Sequence, residues 1–343
     1  MSLKGSASAR LGVVAAIFII VISACTSTGG STPAATTGGG ATSTPAASSA
    51  AGGASKAPCG TVNLAVNPWV GYEANYAVVA YVLEHELGCK VDKKELKEEI
   101  SWQGFETGDV DAILENWGHA DLVKKYIDEK KVAQDAGLTG NEGIIGWYTT
   151  KAFADAHPDI LTADKDPKVL NKYANDFKTS ESGDLGQLLD GDPSYVTNDE
   201  ALVKNLGLNF KVVFSGSEAA SNKAIQTASD QGKPILAYYY EPNWFSAKVP
   251  LVHIPLPPYT DGCDADPKAV ACDYPPYHLN KIVSTKFATS GSPAFDVVKN
   301  FKWTNEDQNS VASAITGGMS DADAAKQWLD AHPDAWKAWL PQQ

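Results

Sequence analysis

From Thr61 to Tyr240 the chain repeatedly passes from a short apolar run into a longer stretch of helical periodicity. That alternation restricts the body to an α/β fold with mostly parallel sheets flanked by helices. Residues 61–66 read as a strand and 67–71 as a loop. Residues 73–87 read as a helix, with apolar positions at Tyr76, Val79, Ala80, Leu83 and Leu87 and a stop at Gly88. Cys89 opens a second strand, 102–108 is a short helix closed by Gly108, and 111–114 is a third strand running into Glu115-Asn116-Trp117-Gly118-His119. A second set follows Trp147, with strands at 186–189, 211–214 and 234–239 and helices over 198–206 and 218–232. A strand near Lys281 and helices to the C-terminus close the chain. No fixed-period repeat is present.

Upstream of this body nothing can build a core. Residues 26–58 are Gly, Ser, Thr, Ala and Pro almost throughout, with Lys56 the only charge, which predicts a flexible tether open to glycosylation. Before it, Lys4 and Arg10 precede an apolar run from Leu11 to Ala24 that is too short for an ordinary spanning helix. Ile22-Ser23-Ala24-Cys25 resembles a bacterial lipobox, with a plain secretory signal as the alternative. The reading is a signal peptide over 1–24, lipid on the Cys25 thiol, a tether over 25–58, and a body held outside the cytoplasm at the cell membrane. Stable anchoring takes more than one acyl chain.

The net charge is −13, which argues against nucleic acid as a partner, because phosphate binding needs a basic face. An exported chain meets an oxidising compartment, so the other cysteines, at 59, 89, 263 and 272, suggest disulfides. Three pairings are open. Cys263–Cys272 closes a short loop, and Cys59–Cys89 joins the starts of two neighbouring strands, so these are favoured. A zinc site is the rival, but there is no CxxC, and His278 is the nearest histidine to the second pair. No metal or cofactor is expected.

In open α/β sheets, ligands sit at the carboxyl ends of strands. Trp69, Trp117 and Tyr240 all fall at such ends, and Tyr195 lies in the loop after another strand. Any one of these rings is equally well an ordinary core residue. Rings delivered together by separate loops can instead converge into a box whose faces present the negative part of each quadrupole. Such a box suits a cation poor at hydrogen bonding, a quaternary ammonium above all, at roughly 0.5–2 kcal/mol per desolvated contact. His119, Asn116, Asn243 and Glu241 are the polar candidates beside the rings; each is also readable as a turn or surface residue. Trp147 and the tail residues Trp328, Trp336 and Trp339 read as packing.

Several strings then fall into a familiar order: Pro68-Trp69-Val70-Gly71-Tyr72-Glu73, Gly108-Asp109-Val110-Asp111 through Asn116-Trp117, Gly216-Ser217-Glu218, Tyr240-Glu241-Pro242-Asn243-Trp244 and Asp273-Tyr274-Pro275-Pro276-Tyr277. Together they resemble the substrate-binding proteins of glycine betaine/choline/proline-type ABC importers, over nearly all of residues 60–342. The resemblance implies a two-lobed, type II periplasmic-binding-protein-like clamshell. Residues 59–150 would begin lobe I, 151–258 would form lobe II, and 259–343 would return to lobe I. It also implies Trp69 and Trp117 as cage walls from one lobe and Tyr240 from the other. Tyr195 would stand near a helix start, where backbone N–H groups of residues 192–196 could hold a ligand carboxylate. Closure over the ligand would present a monomeric carrier to a membrane permease.

The sequence departs from that pattern where Tyr240 replaces a Trp and Asn243 replaces a His that pairs with carboxylate. This moves the expectation from glycine betaine toward choline. The alternatives are a sensor lipoprotein that uses the same clamshell without transport and, further off, a secreted hydrolase. No G-x-S-x-G, H-E-x-x-H, P-loop or G-x-G-x-x-G supports an enzyme.

Overall fold

The computed structural model describes residues 59–195 and 197–342; the leader, Cys25 and the tether lie outside them. The first half of the body runs β1 (Thr61–Val66), α1 (Val70–Leu87), β2 (Lys90–Glu95), α2 (Glu98–Thr107), β3 (Ala112–Asn116) and α3 (Ala120–Val123). A long strand, β4 (Ala133–Thr150), then leads through α4 (Lys151–Ala156) into β5 (Gly186–Asp190), α5 (Asp199–Asn205), β6 (Phe210–Phe214), α6 (Glu218–Asp230), β7 (Leu236–Glu241) and β8 (Leu251–Ile254). The chain returns on β9 (Tyr277–Ser284) and ends in α7 (Thr285–Ala288), α8 (Pro293–Asn300), α9 (Asn305–Thr316), α10 (Asp321–Ala331) and α11 (Pro333–Lys337).

The strands follow the order β2-β1-β3-β9-β4-β7-β5-β6, with β8 also on β4. Parallel pairs occur where a helix crosses over: β1 with β2 and β3, and β5 with β6 and β7. Every pair that involves β4 or β9 is antiparallel. The expectation of mostly parallel sheets is therefore corrected to mixed ones, because the chain comes back through each half on a long return strand. β4 pairs with β9 from Ala133 to Gly143 and with β7 from Ile144 to Thr149, so one strand belongs to both halves.

Helix α1 starts at Val70, three residues earlier than its apolar pattern predicts, and ends where Gly88 takes φ +68°. It packs between β1, β2 and β3 on one side and α8, α9 and α10 on the other, which explains why Ala74, Ala77, Val78, Val82 and Leu83 are all buried. The tail tryptophans pack: Trp328 stacks on Trp339 with ring centroids 5.8 Å apart and meets Trp303 edge-on at 5.4 Å. Cys59 is bonded to Cys89, with Cα atoms 5.0 Å apart, and Cys263 to Cys272, at 6.3 Å. Among the described residues no helix is long and apolar enough to cross a membrane.

Candidate ligand-binding site

A cavity of about 500 Å³ opens at the carboxyl ends of the strands, and both halves line it. Trp69, in the β1–α1 loop, and Trp117, just past β3, come from the first half. Tyr195 follows β5 in the second half. Tyr238 and Tyr240, two residues apart on β7, reach the cavity from the same face of the strand. Tyr239, on the opposite face, packs with Tyr148 and Phe245 instead. The cavity rings meet edge to face: Trp69 with Tyr195 at 5.6 Å, Trp117 with Tyr240 at 5.8 Å, and Tyr195 with Tyr240 at 6.4 Å. Tyr277 stands against Trp117 at 5.6 Å, and Tyr274 against Tyr238 at 6.4 Å.

The polar handles of Trp69, Trp117, Tyr195, Tyr240 and Tyr274 are tied down. Trp69 Nε1 and Trp117 Nε1 both donate to Glu115 Oε1 at 2.8 Å, while Gln308 Nε2 donates to Oε2 at 2.8 Å and Asn75 Nδ2 donates to the same oxygen. Burial pushes the Glu115 carboxyl up to about 7, against the opposing pull of these four donors. The Tyr240 hydroxyl donates to Glu218 at 3.0 Å, the Tyr195 hydroxyl donates to Pro68 O at 3.1 Å, and the Tyr274 hydroxyl donates to Asp199 at 2.7 Å. Burial raises Glu218 as well, and burial with the nearby Asp190 charge raises Asp199. Burial also lifts the Tyr195, Tyr238 and Tyr240 phenols well above their usual range, so these rings stay neutral.

Two glycines make room for the rings. A Cβ on Gly143 of β4 would come within 2.5 Å of Trp117, and one on Gly191 within 2.7 Å of Tyr195. The charged rim of the cavity is acidic: Glu98, Asp121 and Asp264 line it, and His119 is the only basic residue among the described ones there. His119 Nε2 lies 2.5 Å from Glu98 Oε1. Burial pulls the imidazole down, but the Glu98 charge and hydrogen bond outweigh it and hold the imidazole above its usual range. A larger, more open groove of about 880 Å³ shares Trp69 with the cavity. Of the rings that it adds, Trp244 and Phe245, the first is already covered by Lys248 Nζ at 4.3 Å from its centroid.

Of the residues singled out in the sequence, the cavity gathers Trp69, Trp117, Tyr195, Tyr240 and His119. It does not gather Asn116, Asn243 or Glu241. Asn116 alternates away from Glu115 and Trp117 and donates to Asn280 Oδ1 at 2.8 Å on β9. Asn243 donates to Glu218 Oε1 at 3.1 Å and caps the next turn by accepting from Phe245 N at 3.0 Å. Glu241 lies on the Tyr239 face of β7 and accepts from Asn243 N at 3.0 Å and from the Ser246 hydroxyl. The backbone after β5 offers little to a carboxylate: residue 193 is proline, Ser194 N donates to Asp192 Oδ1 at 2.8 Å, and Tyr195 N donates to Asp192 O at 2.9 Å.

Sequence reasoning passed over Tyr238, Tyr274, Tyr277, Glu98 and the buried Glu115. The period-2 spacing of Tyr238 from Tyr240, and of Glu115 from Trp117, was the available signal. The loop bounded by Cys263 and Cys272 also contributes to the wall, through Asp264, Ala265 and Pro267.

Two mixed half-sheets that share a crossing strand, with a ring-walled cavity at their strand ends, define a type II periplasmic-binding-protein-like substrate-binding protein. The model of the substrate-binding domain of the ABC-type glycine betaine transport system (OpuAC) matches residues 60–331, and the chain belongs to that family. Its fold is similar to that of lactococcal OpuAC in its closed, liganded conformation with glycine betaine (TM-score 0.65, 22% identity, 82% of this chain and 99% of that one). It is also similar to an ABC-transporter choline-binding protein in complex with choline (TM-score 0.64, 20% identity, 82% of this chain and 91% of that one). The glycine betaine/carnitine transport binding protein GbuC of Listeria monocytogenes serotype 1/2a (strain 10403S) is 28% identical over 125 residues; that match spans 36% of this chain and 38% of GbuC.

Proposed function

We propose that this substrate-binding protein captures a quaternary ammonium compound between its two halves and delivers it to an ABC permease, without chemical change to the ligand. The observation that carries the reading is the convergence of Trp69, Trp117 and Tyr195 from separate loops, and Tyr240 from β7, on one cavity with an acidic rim. Ring faces and carboxylates both favour a cation. A choline-type ligand suits the site better than glycine betaine. Among the described residues no Lys or Arg lines the cavity, the β5 loop N–H groups at Ser194 and Tyr195 are taken, and His119 is engaged by Glu98. Among the described lining residues, His119 pulled from its partner is the one cationic group that could pair with a ligand carboxylate; the Tyr238 and Tyr277 hydroxyls and the Asn198 amide are neutral donors.

Capture begins with the methylated head against Trp69 and Trp117. Approach of the second half then brings Tyr195 and Tyr240 onto it and excludes water, which strengthens each contact. Export and lipid attachment at Cys25 would keep the carrier outside the cytoplasm beside its permease. Calorimetry with choline, glycine betaine, carnitine, ectoine and proline on protein that lacks residues 1–58 tests the proposal. Choline is expected to bind with the highest affinity and to be recovered intact. Preference for a ligand without a quaternary nitrogen would sink it.

A further inference from the structure

Trp69 and Trp117 arrive from different loops, yet their indole N–H groups meet on a single atom, Oε1 of Glu115. Glu115 is 1% exposed and stands behind the rings rather than in the cavity wall. Among the described residues its hydrogen-bond partners are all neutral donors: two indoles, Gln308 and Asn75. No lysine or histidine is among them, and the chain's only arginine is Arg10, in the leader. A buried carboxylate is ordinarily paired with a cation, because desolvating it alone is unfavourable. Here the protein supplies the donors and omits the counter-charge. The carboxylates behind Tyr240 and Tyr274 have further duties: Glu218 also holds Val70 N at 2.8 Å, and Asp199 also holds Trp147 Nε1 at 2.9 Å. Glu115 has no comparable task outside the two indoles and the donors that steady it.

We infer that Glu115 is the positioning and charge-selecting residue of the ligand site, and that a cation in the cavity is its missing counter-charge. This rests on the reading of the cavity as a quaternary ammonium site. Glu115 acts in two ways through the indoles. Its acceptor oxygen fixes both ring planes. An N–H donated to a carboxylate also makes a charge-assisted hydrogen bond that leaves more electron density on the ring, and the negative charge behind the ring adds to the potential at its face.

A charge-selecting role and a merely structural one separate when a cation is compared with a neutral ligand of the same shape. Choline and 3,3-dimethylbutan-1-ol, in which carbon replaces the charged nitrogen, are the probes, read by calorimetry. Wild-type protein should prefer choline. Glu115→Gln should lower choline affinity by about tenfold or more and change alcohol affinity by no more than about twofold. Parallel loss of both ligands, or loss of neither, overturns the inference. Should Glu115→Gln fail to fold, Gln308→Met removes one donor that favours the ionised carboxyl and leaves the indole bonds in place. It should weaken choline severalfold and spare the alcohol, and equal effects on the two again overturn the inference. Wild-type protein that binds no quaternary ammonium ion removes the functional reading and this one with it. Wild-type binding of choline with a charge-blind response in the variants removes this one alone.

Discussion

Glu218, the first residue of α6, accepts the backbone N–H of Val70, the first residue of α1, at 2.8 Å. The two helices belong to opposite halves of the molecule, and Trp69 at the α1 N-cap makes no side-chain capping bond. The end of a first-half helix is therefore satisfied by a second-half carboxylate, and the same carboxylate holds Tyr240 and Asn243. Glu218→Ala should loosen the closed arrangement by about 1–2 kcal/mol, the usual range for a lost helix cap, and so weaken ligand binding roughly 5- to 30-fold. The loss should appear as faster ligand release in stopped-flow fluorescence. An unchanged release rate would show that this bond plays no part in closure.

Trp117 lines the cavity, donates its N–H to Glu115 and stands at a steep angle to Tyr240 and Tyr277. Trp117→Ala should weaken quaternary ammonium binding by at least about tenfold, from the lost ring contacts. Circular dichroism should show an intact fold. Moderate salt should change wild-type affinity by less than about twofold, because the attraction acts through desolvated rings and buried groups rather than exposed ion pairs. A steep salt dependence would place binding elsewhere.

Two groups set the expected pH response. Glu115 is pushed up to about 7 by burial, and His119 is held above its ordinary value because Glu98 outweighs the opposing effect of burial. Both pKa values rise on folding, so the stability each group contributes is complete at low pH. For Glu115 it is lost as pH climbs from its unfolded value through about 7, and for His119 as pH passes its raised folded value. Cation binding responds in the opposite sense, because a protonated Glu115 and a charged His119 both disfavour a positive ligand. Choline affinity should fall between pH 8 and pH 6 while apo stability is maintained or rises. Titration calorimetry in two buffers of different ionisation enthalpy should detect proton release on binding near pH 7. Glu98, Asp121 and Asp264 also face the cavity, and Tyr72 lies near Glu115. A Glu115→Gln, His119→Gln double variant isolates the response: it should flatten the profile, and a persistent slope would show that these two groups do not set it.

The sequence showed the parts of the fold that local pattern encodes. β1, α1, β3 and β7 stand within a few residues of where periodicity and stop signals place them. β4 was invisible, because Gly137, Gly140, Gly143 and Gly146 interrupt its alternation and its buried Thr139 and Asn141 are polar. The early start of α1 was equally hidden, since its cap is a glutamate 148 residues away. At the site, rings next to Pro or Gly at strand ends were legible. Glu115 was not, although it lies two residues from Trp117, because Asn75 and Gln308, which share it, come from α1 and α9. Asn243 and Glu241 stood in the right string, but strand alternation and a turn cap direct them elsewhere.

The Cys263–Cys272 loop forms part of the cavity wall, with Asp264 inside it and Tyr259 just before it. A bridge over this short span limits the open states of the loop, and its loss corresponds to roughly 2–3 kcal/mol by chain entropy. Cys263→Ser with Cys272→Ser should therefore raise hydrogen exchange between residues 259 and 277 and weaken ligand binding several-fold. The Cys59–Cys89 bridge remains, so the rest of the body should keep its exchange pattern. Unaltered affinity in the double variant would show that the loop is packing rather than a working wall.

Gly143 lies on β4 where the strand leaves β9 for β7, and the Trp117 ring lies where its side chain would be. A methyl group there would stand 2.5 Å from Trp117 Cζ3 and 3.0 Å from Tyr277 Cβ, well inside ordinary contact. The backbone is fixed on both sides by strand pairing, so the indole must give way. That movement would lengthen its bond to Glu115 and shift the ring from its place in the cavity wall. Overpacking of this kind typically costs about 1–3 kcal/mol. Gly143→Ala should therefore lower the melting temperature modestly and reduce quaternary ammonium affinity by an amount approaching that of Trp117→Ala. If binding survives with Trp117 fluorescence unshifted, the ring is not held where the strand crossing places it, and the coupling between crossing strand and cage is lost as an explanation.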